Sequence, residues 1–131
     1  MQVLFVEDDA MNRRVVRDML SVVGAQMGEA PDAETGLKMI EDGAFNIVLM
    51  DLRMPGMDGL TAIRHLRARL DAKRDLPVIV VTADTAIDLR ERCLASGADD
   101  VIPKPVPMNL LLKTMSRMLA KAAGQNGVVL A

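Results

Sequence analysis

Tryptophan and tyrosine are missing from this 131-residue chain, and only two phenylalanines are present. Core volume must therefore come from Val, Leu, Ile and eleven Met. One cysteine, Cys93, excludes an internal disulfide framework and suits a reducing compartment. No charge of either sign dominates. Sixteen basic residues face eighteen acidic ones, for a net charge of −2, and no basic stripe offers a footprint for nucleic acid. Long apolar runs are absent too; the longest are strand-sized, so nothing is expected to span a membrane. Residues 1–6, MQVLFV, lack the basic start and cleavage site of a signal peptide, and a cytoplasmic location is expected.

What is present describes one globular domain. Half of the residues are hydrophobic and 26 % are charged, enough to bury a core. Short apolar runs alternate with longer amphipathic segments. The runs are VLFV (3–6), the weaker AQMGEA (25–30), NIVLM (46–50), PVIVVT (77–82) and DVI (100–102). Unbroken Val- and Ile-rich runs are what strands buried on both faces look like. Helical patterns fall between them, at 11–23, 33–40, 60–70, 86–95 and 108–120. In the first, Val15, Val16, Met19, Leu20 and Val23 form one stripe. Gly24, Gly43 and Gly97 stand where helices should end, and Asp58 stands as an N-cap.

Five strand–helix units in a row predict an α/β fold with a parallel sheet covered on both faces. The weak second strand suits an edge. So does the last, where Pro103 lacks the N–H a central strand needs. An order of 2-1-3-4-5 puts both at edges.

In such a sheet, function sits at the carboxyl ends of the strands, near the point where the order reverses. The first strand delivers Glu7, Asp8 and Asp9 there, the third Asp51, the fourth Thr82 followed by Ala83, and the fifth Lys104 followed by Pro105. The second delivers nothing obvious. Crowded carboxylates must protonate or share a cation, and all-oxygen ligands point to a hard ion, Mg²⁺. Lys104 would add a fixed positive charge and Thr82 a hydroxyl donor, both suited to a phosphoryl group. Asp51, on the central strand, is the natural nucleophile.

Four elements, VEDD (6–9), MDLRMPGMDG (50–59), VTA (81–83) and KP (104–105), resemble response-regulator receiver domains. They fall in the family's order, with 31 positions from Asp51 to Thr82 and 22 from Thr82 to Lys104. The match covers roughly residues 2–121 and implies a flavodoxin-like (βα)5 sheet ordered 2-1-3-4-5, a receiver domain over 1–121 and a tail over 122–131. That family order also informs the strand order given above.

The resemblance implies roles position by position. Asp51 would accept a phosphoryl group from a sensor histidine kinase or a histidine phosphotransfer protein. Asp8 and Asp51 would hold Mg²⁺ with the backbone carbonyl of Arg53, and Glu7 would act through a water. Thr82 and Lys104 would hold the phosphoryl oxygens, Ala83 would be a switch or structural residue, and the Lys104–Pro105 peptide would be cis. The stretch EDDAMNRRVV (7–16) resembles receivers of hybrid kinases and phosphorelays. An unidentified downstream protein would read the switch, with no direct contact to nucleic acid or membrane. Val101 departs from the family, which usually has Tyr or Phe at that position; the aromatic switch cannot operate in its usual form.

Two other classes remain: a pseudo-receiver that only binds partners, and an Asp-nucleophile phosphatase. The phosphatase expects a second Asp two residues after the first, where this chain has Arg53. Asp9, Asp99 and Asp100 are read as solvated acids, His65 as a solvated helix residue, and Cys93 as a small buried hydrophobe.

Overall fold

In the computed structural model, which describes residues 1–125, five strands form one parallel sheet in the order β2-β1-β3-β4-β5. The strands are β1 (Gln2–Val6), β2 (Gln26–Ala30), β3 (Ile47–Asp51), β4 (Val78–Thr82) and β5 (Asp100–Pro103). The helices are α1 (Ala10–Ser21), α2 (Ala33–Asp42), α3 (Gly59–Arg67), α4 (Leu89–Ser96) and α5 (Met108–Gln125).

Every residue of β3 and β4 is buried, which is why both read as unbroken apolar runs. Alternate residues face opposite ways. Leu4, Val6, Val48, Met50, Val78 and Val80 pack on one side against α2, α3 and α4. Val3, Phe5, Ile47, Leu49, Ile79 and Val81 pack on the other against α1 and α5. Three apolar layers result, with the sheet in the middle and its carboxyl edge left open.

Asp58 caps α3 as expected, accepting from Thr61 N at 2.8 Å. Gly97 ends α4 in the left-handed region at φ 111°, which a Cβ would strain. Elsewhere the boundaries move. Only Val16 and Leu20 of the α1 stripe are fully buried, while Val15 and Val23 stay 45 % and 53 % exposed. The fourth helix starts at Leu89 rather than residue 86, because Asp84 draws the Ala86 N–H into a local turn at 2.9 Å.

The third helix stops at Arg67, three residues early, and Leu70 is fully exposed. Arg67 gathers the carbonyls of Gly97, Arg74 and Leu76 at 2.6–2.9 Å, together with Asp99 at 3.1 Å. This guanidinium ties the chain through a short 3₁₀ turn (Ala72–Asp75) that the sequence pattern did not announce. The last helix runs to Gln125, past the expected end at 120 and into the expected tail. The rest of that tail, 126–131, lies outside the described residues. Among the described residues, no helix is long and apolar enough to cross a membrane.

Candidate functional site

The carboxyl ends of β1, β3, β4 and β5 open into one cleft of about 370 Å³. β1 stops at Val6, so Glu7 enters the cleft buried, and Asp8 follows exposed to solvent. Asp51 closes β3 and Thr82 closes β4; both are buried. Lys104 follows β5, held by its N–H to the Thr82 carbonyl at 2.9 Å. The Lys104–Pro105 peptide is cis. The exposed Ala83 lines the same cleft and presents only a methyl group.

Lys104 Nζ lies 2.6 Å from Glu7 Oε2 and 3.2 Å from Asp51 Oδ1. Carboxylate oxygens of Glu7, Asp8 and Asp51 fall within 4.8 Å of one another. Burial, the largest cause, pushes the Glu7 carboxyl above its ordinary range, and the Asp51 charge pushes the same way against the Lys104 hydrogen bond. Burial acts against the Lys104 cation, but its hydrogen bond to Glu7 and the Asp51 charge win, and its pKa is raised. Three carboxylates against one ammonium leave two negative charges, the complement of one divalent cation. The donors are all oxygen, with no His or Cys in the cluster, which suits a hard ion such as Mg²⁺.

Thr82 Oγ1 accepts from Asp84 N at 3.1 Å, which leaves its own proton free to donate. Gly59 N donates to Leu52 O at 3.0 Å, drawing the start of α3 over the exit of β3. No side chain fits between them: a Cβ on Gly59 would stand 2.2 Å from Asp51 O. The Arg53 side chain is exposed and pairs with Asp84 at 3.1 Å. Met54 is buried in the core.

Asp99 and Asp100 depart from expectation, whereas Asp9 is exposed as expected. Asp9 is the N-cap of α1, accepting from Met11 N at 2.8 Å. Asp99 accepts from Val78 N at 2.8 Å and from Arg67. Asp100 is buried between Arg90, at 2.6 Å, and Arg117. Burial raises the Asp100 carboxyl, yet the arginines prevail and hold it below its ordinary range. These two acids are framework residues, not solvated ones. His65 is exposed and Cys93 buried, as expected, and burial lifts the Cys93 thiol pKa. Val101 is half-buried against the core and borders a separate cleft of about 500 Å³ with Arg90, Thr114 and Arg117.

Sequence reasoning missed one group beside the acids. Arg13 Nη1 donates to the Glu7 carbonyl at 2.7 Å, and its Nε reaches Glu29 at 3.1 Å. The signal available was the spacing of Arg13 and Arg17 on one helix face, opposite an acid near the end of the neighbouring strand.

Fold and cleft together define a flavodoxin-like α/β protein with an acidic, lysine-bearing site at its topological switch point. Residues 3–116 match the family described as response regulator receiver domain, and the chain belongs to it. It is 36 % identical over 116 residues to the sensor histidine kinase RcsC of Salmonella typhimurium, spanning 88 % of this chain and 12 % of that protein. It is 35 % identical over 126 residues to the response regulator MprA of Mycobacterium sp. (strain KMS), spanning 96 % of this chain and 54 % of that one. The chain thus covers only part of the length of these relatives.

Among solved structures, the receiver domain of the Pseudomonas aeruginosa sensor histidine kinase PA1611 superposes with a TM-score of 0.82 at 31 % identity. That match covers 91 % of this chain and 97 % of that one, whose structure has a magnesium ion in its active-site cleft. A CheY-like receiver from Methanospirillum hungatei gives a TM-score of 0.85 at 27 % identity, covering 95 % and 97 %. Receiver domains are regulatory modules of two-component and phosphorelay signalling, and they bind Mg²⁺ at an acidic pocket.

Proposed function

We propose that this domain is a phosphoacceptor switch, with Asp51 taking a phosphoryl group from a phosphohistidine on a sensor histidine kinase or phosphotransfer protein. One observation carries the reading. Asp51 ends the central strand with its carboxylate 3.2 Å from Lys104 and within 4.8 Å of the Glu7 and Asp8 oxygens. In the transfer, an Asp51 oxygen bonds to phosphorus as the donor's P–N bond breaks and its electron pair leaves with the imidazole nitrogen. The product is an aspartyl phosphate.

Asp8, Asp51 and the Arg53 carbonyl would hold Mg²⁺, with Glu7 behind them, and the bound ion would neutralise charge on the phosphoryl oxygens. Lys104 offers its ammonium and Thr82 its free hydroxyl proton to those oxygens. Phosphorylation turns one negative charge on Asp51 into about two, so the cleft gains roughly one unit. That gain biases the loop after β4 and the surface a downstream protein reads.

Helix α1 supplies a docking face for the histidine-bearing partner. Met11 and Val15 on its outer side are 67 % and 45 % exposed, just beyond the acids. The buried thiol of Cys93 suits a reducing cytoplasm. A phosphatase is disfavoured because Arg53 stands where that chemistry needs an acid, with its side chain turned out to Asp84.

The test is phosphotransfer profiling against phosphorylated histidine proteins, and labelling by a small phosphodonor with Mg²⁺. Wild type should gain one phosphoryl group and Asp51→Asn none. Wild type that never labels would favour the pseudo-receiver, and turnover of small phosphate esters would favour the phosphatase.

A further inference from the structure

The edge strand β2 brings no side chain into the cleft, yet it is wired to it. β1 and β2 are paired through Val6 and Ala30, and Glu7 N still donates to Ala30 O at 2.9 Å. Past that point the Glu7 carbonyl has left the ladder and needs another donor. Arg13 supplies it from the first turns of α1, through Nη1 at 2.7 Å. The same guanidinium is anchored by its Nε to Glu29 of β2 at 3.1 Å, and Arg17 holds the other Glu29 oxygen. The Arg13 side chain is only 16 % exposed, so this is a seated group and not a surface ion pair.

The carbonyl in question belongs to the peptide between Glu7 and Asp8. Rotating that peptide swings one carboxylate away from Lys104 and the other away from the metal position. We infer that Arg13 is a positioning residue for the Mg²⁺ site: braced by Glu29, it fixes the Glu7–Asp8 peptide so that both carboxylates face the same ion. The inference rests on the reading of the cleft as a Mg²⁺ site. A forked guanidinium can hold the carbonyl and Glu29 together, whereas one ammonium cannot do so in the same geometry.

Charge and position make opposite predictions. By Coulomb's law alone, deleting a cation near the acids should tighten Mg²⁺ binding. If Arg13 positions the ligands, its loss should loosen binding, by about tenfold, as for other groups that orient metal ligands.

The experiment is calorimetric titration with Mg²⁺ alone, well below the unfolding transition of each variant. Arg13→Gln and Arg13→Lys should both weaken binding about tenfold, the lysine variant despite keeping its charge. Arg17→Ala, which touches Glu29 but not Glu7, should stay within about twofold of wild type. Amide exchange at Asp8 and Asp9 in metal-free protein should speed up in the Arg13 variants only. Unchanged or tighter Mg²⁺ affinity in folded Arg13→Gln or Arg13→Lys overturns the inference. Wild-type protein that takes up no Mg²⁺, with Asp8→Asn as the blank, overturns the underlying reading instead.

Discussion

Replacing Lys104 by methionine keeps an unbranched apolar stem and removes one charge from a site that has three of the opposite sign. Lys104 Nζ sits 2.6 Å from Glu7 and 3.2 Å from Asp51, with its side chain 17 % exposed. At an effective dielectric constant of about 20 those contacts are worth roughly 6 and 5 kcal/mol before desolvation. Desolvation offsets most of this, and breaking a buried pair by removing one partner costs about 3–5 kcal/mol. The partial exposure of Lys104 selects the lower end, about 3 kcal/mol.

The residual repulsion has a floor. Glu7 and Asp51 oxygens within 4.8 Å of each other repel by at least ~3 kcal/mol at that dielectric. In urea, with a slope of about 2 kcal/mol per molar, Lys104→Met should lower the unfolding midpoint by about 1.5 M. The assay is far-ultraviolet circular dichroism, because the chain has no Trp or Tyr to report unfolding by fluorescence. It is run in a chelator at pH 8.

The pH dependence has a fixed sign. Burial already raises the Glu7 carboxyl, and the variant also loses the Lys104 hydrogen bond that lowers it. A raised carboxyl favours the folded state in acid, and that benefit is lost as pH rises through the folded pKa. The deficit of the variant should therefore be full at pH 8 and close as pH falls toward 4.5, where Glu7 takes up its proton in the unfolded chain as well. Saturating Mg²⁺ should also close it, stabilising the variant more than wild type. A midpoint within about 0.3 M of wild type at pH 8 without metal, or a deficit that persists into acid, would refute the counter-ion argument.

Three further outcomes are expected. Asp58→Ala removes the cap on Thr61 N and should cost about 1 kcal/mol by urea denaturation at neutral pH. The Thr61 N–H holds the Asp58 carboxyl below its ordinary value, so the difference from wild type should shrink as pH falls below 3.8. Arg67→Met strips the partner from three carbonyls and Asp99 and should cost about 3 kcal/mol or more, also read by urea denaturation. With Val101 in place of a ring, amide shifts on phosphorylation should concentrate at 82–85, and large shifts over β5, α4 and α5 would refute that confinement.

The sheet was legible because its central strands are buried on both faces, and burial on both faces leaves an unbroken apolar run. The positions of Asp51, Thr82 and Lys104 followed from the same fact, since each polar residue marks where a run leaves the core. Helix edges were less legible. Val15 and Val23 belong to the α1 stripe by spacing, yet the sheet's edge is too narrow to cover them. Arg67 and the 3₁₀ turn were not legible at all, and Arg13 left only its spacing with Arg17 as a signal. Side chains that donate to carbonyls thirty residues away, or in a neighbouring strand, follow no period. Asp99 and Asp100 looked like loop acids for the same reason: their arginine partners come from three different helices.

The contact between Gly59 and the Asp51 carbonyl bears on how such a site can change over generations. The stretch from 52 to 58 is pinned at both ends, by the end of β3 and by a glycine with no room for one more carbon. Its length and path are therefore closed to drift, and any side chain at 59 would have to displace the Asp51 carbonyl. Arg53 and Pro55, whose side chains face solvent, remain open. These outward groups can be exchanged while Asp51 stays where the fold has put it.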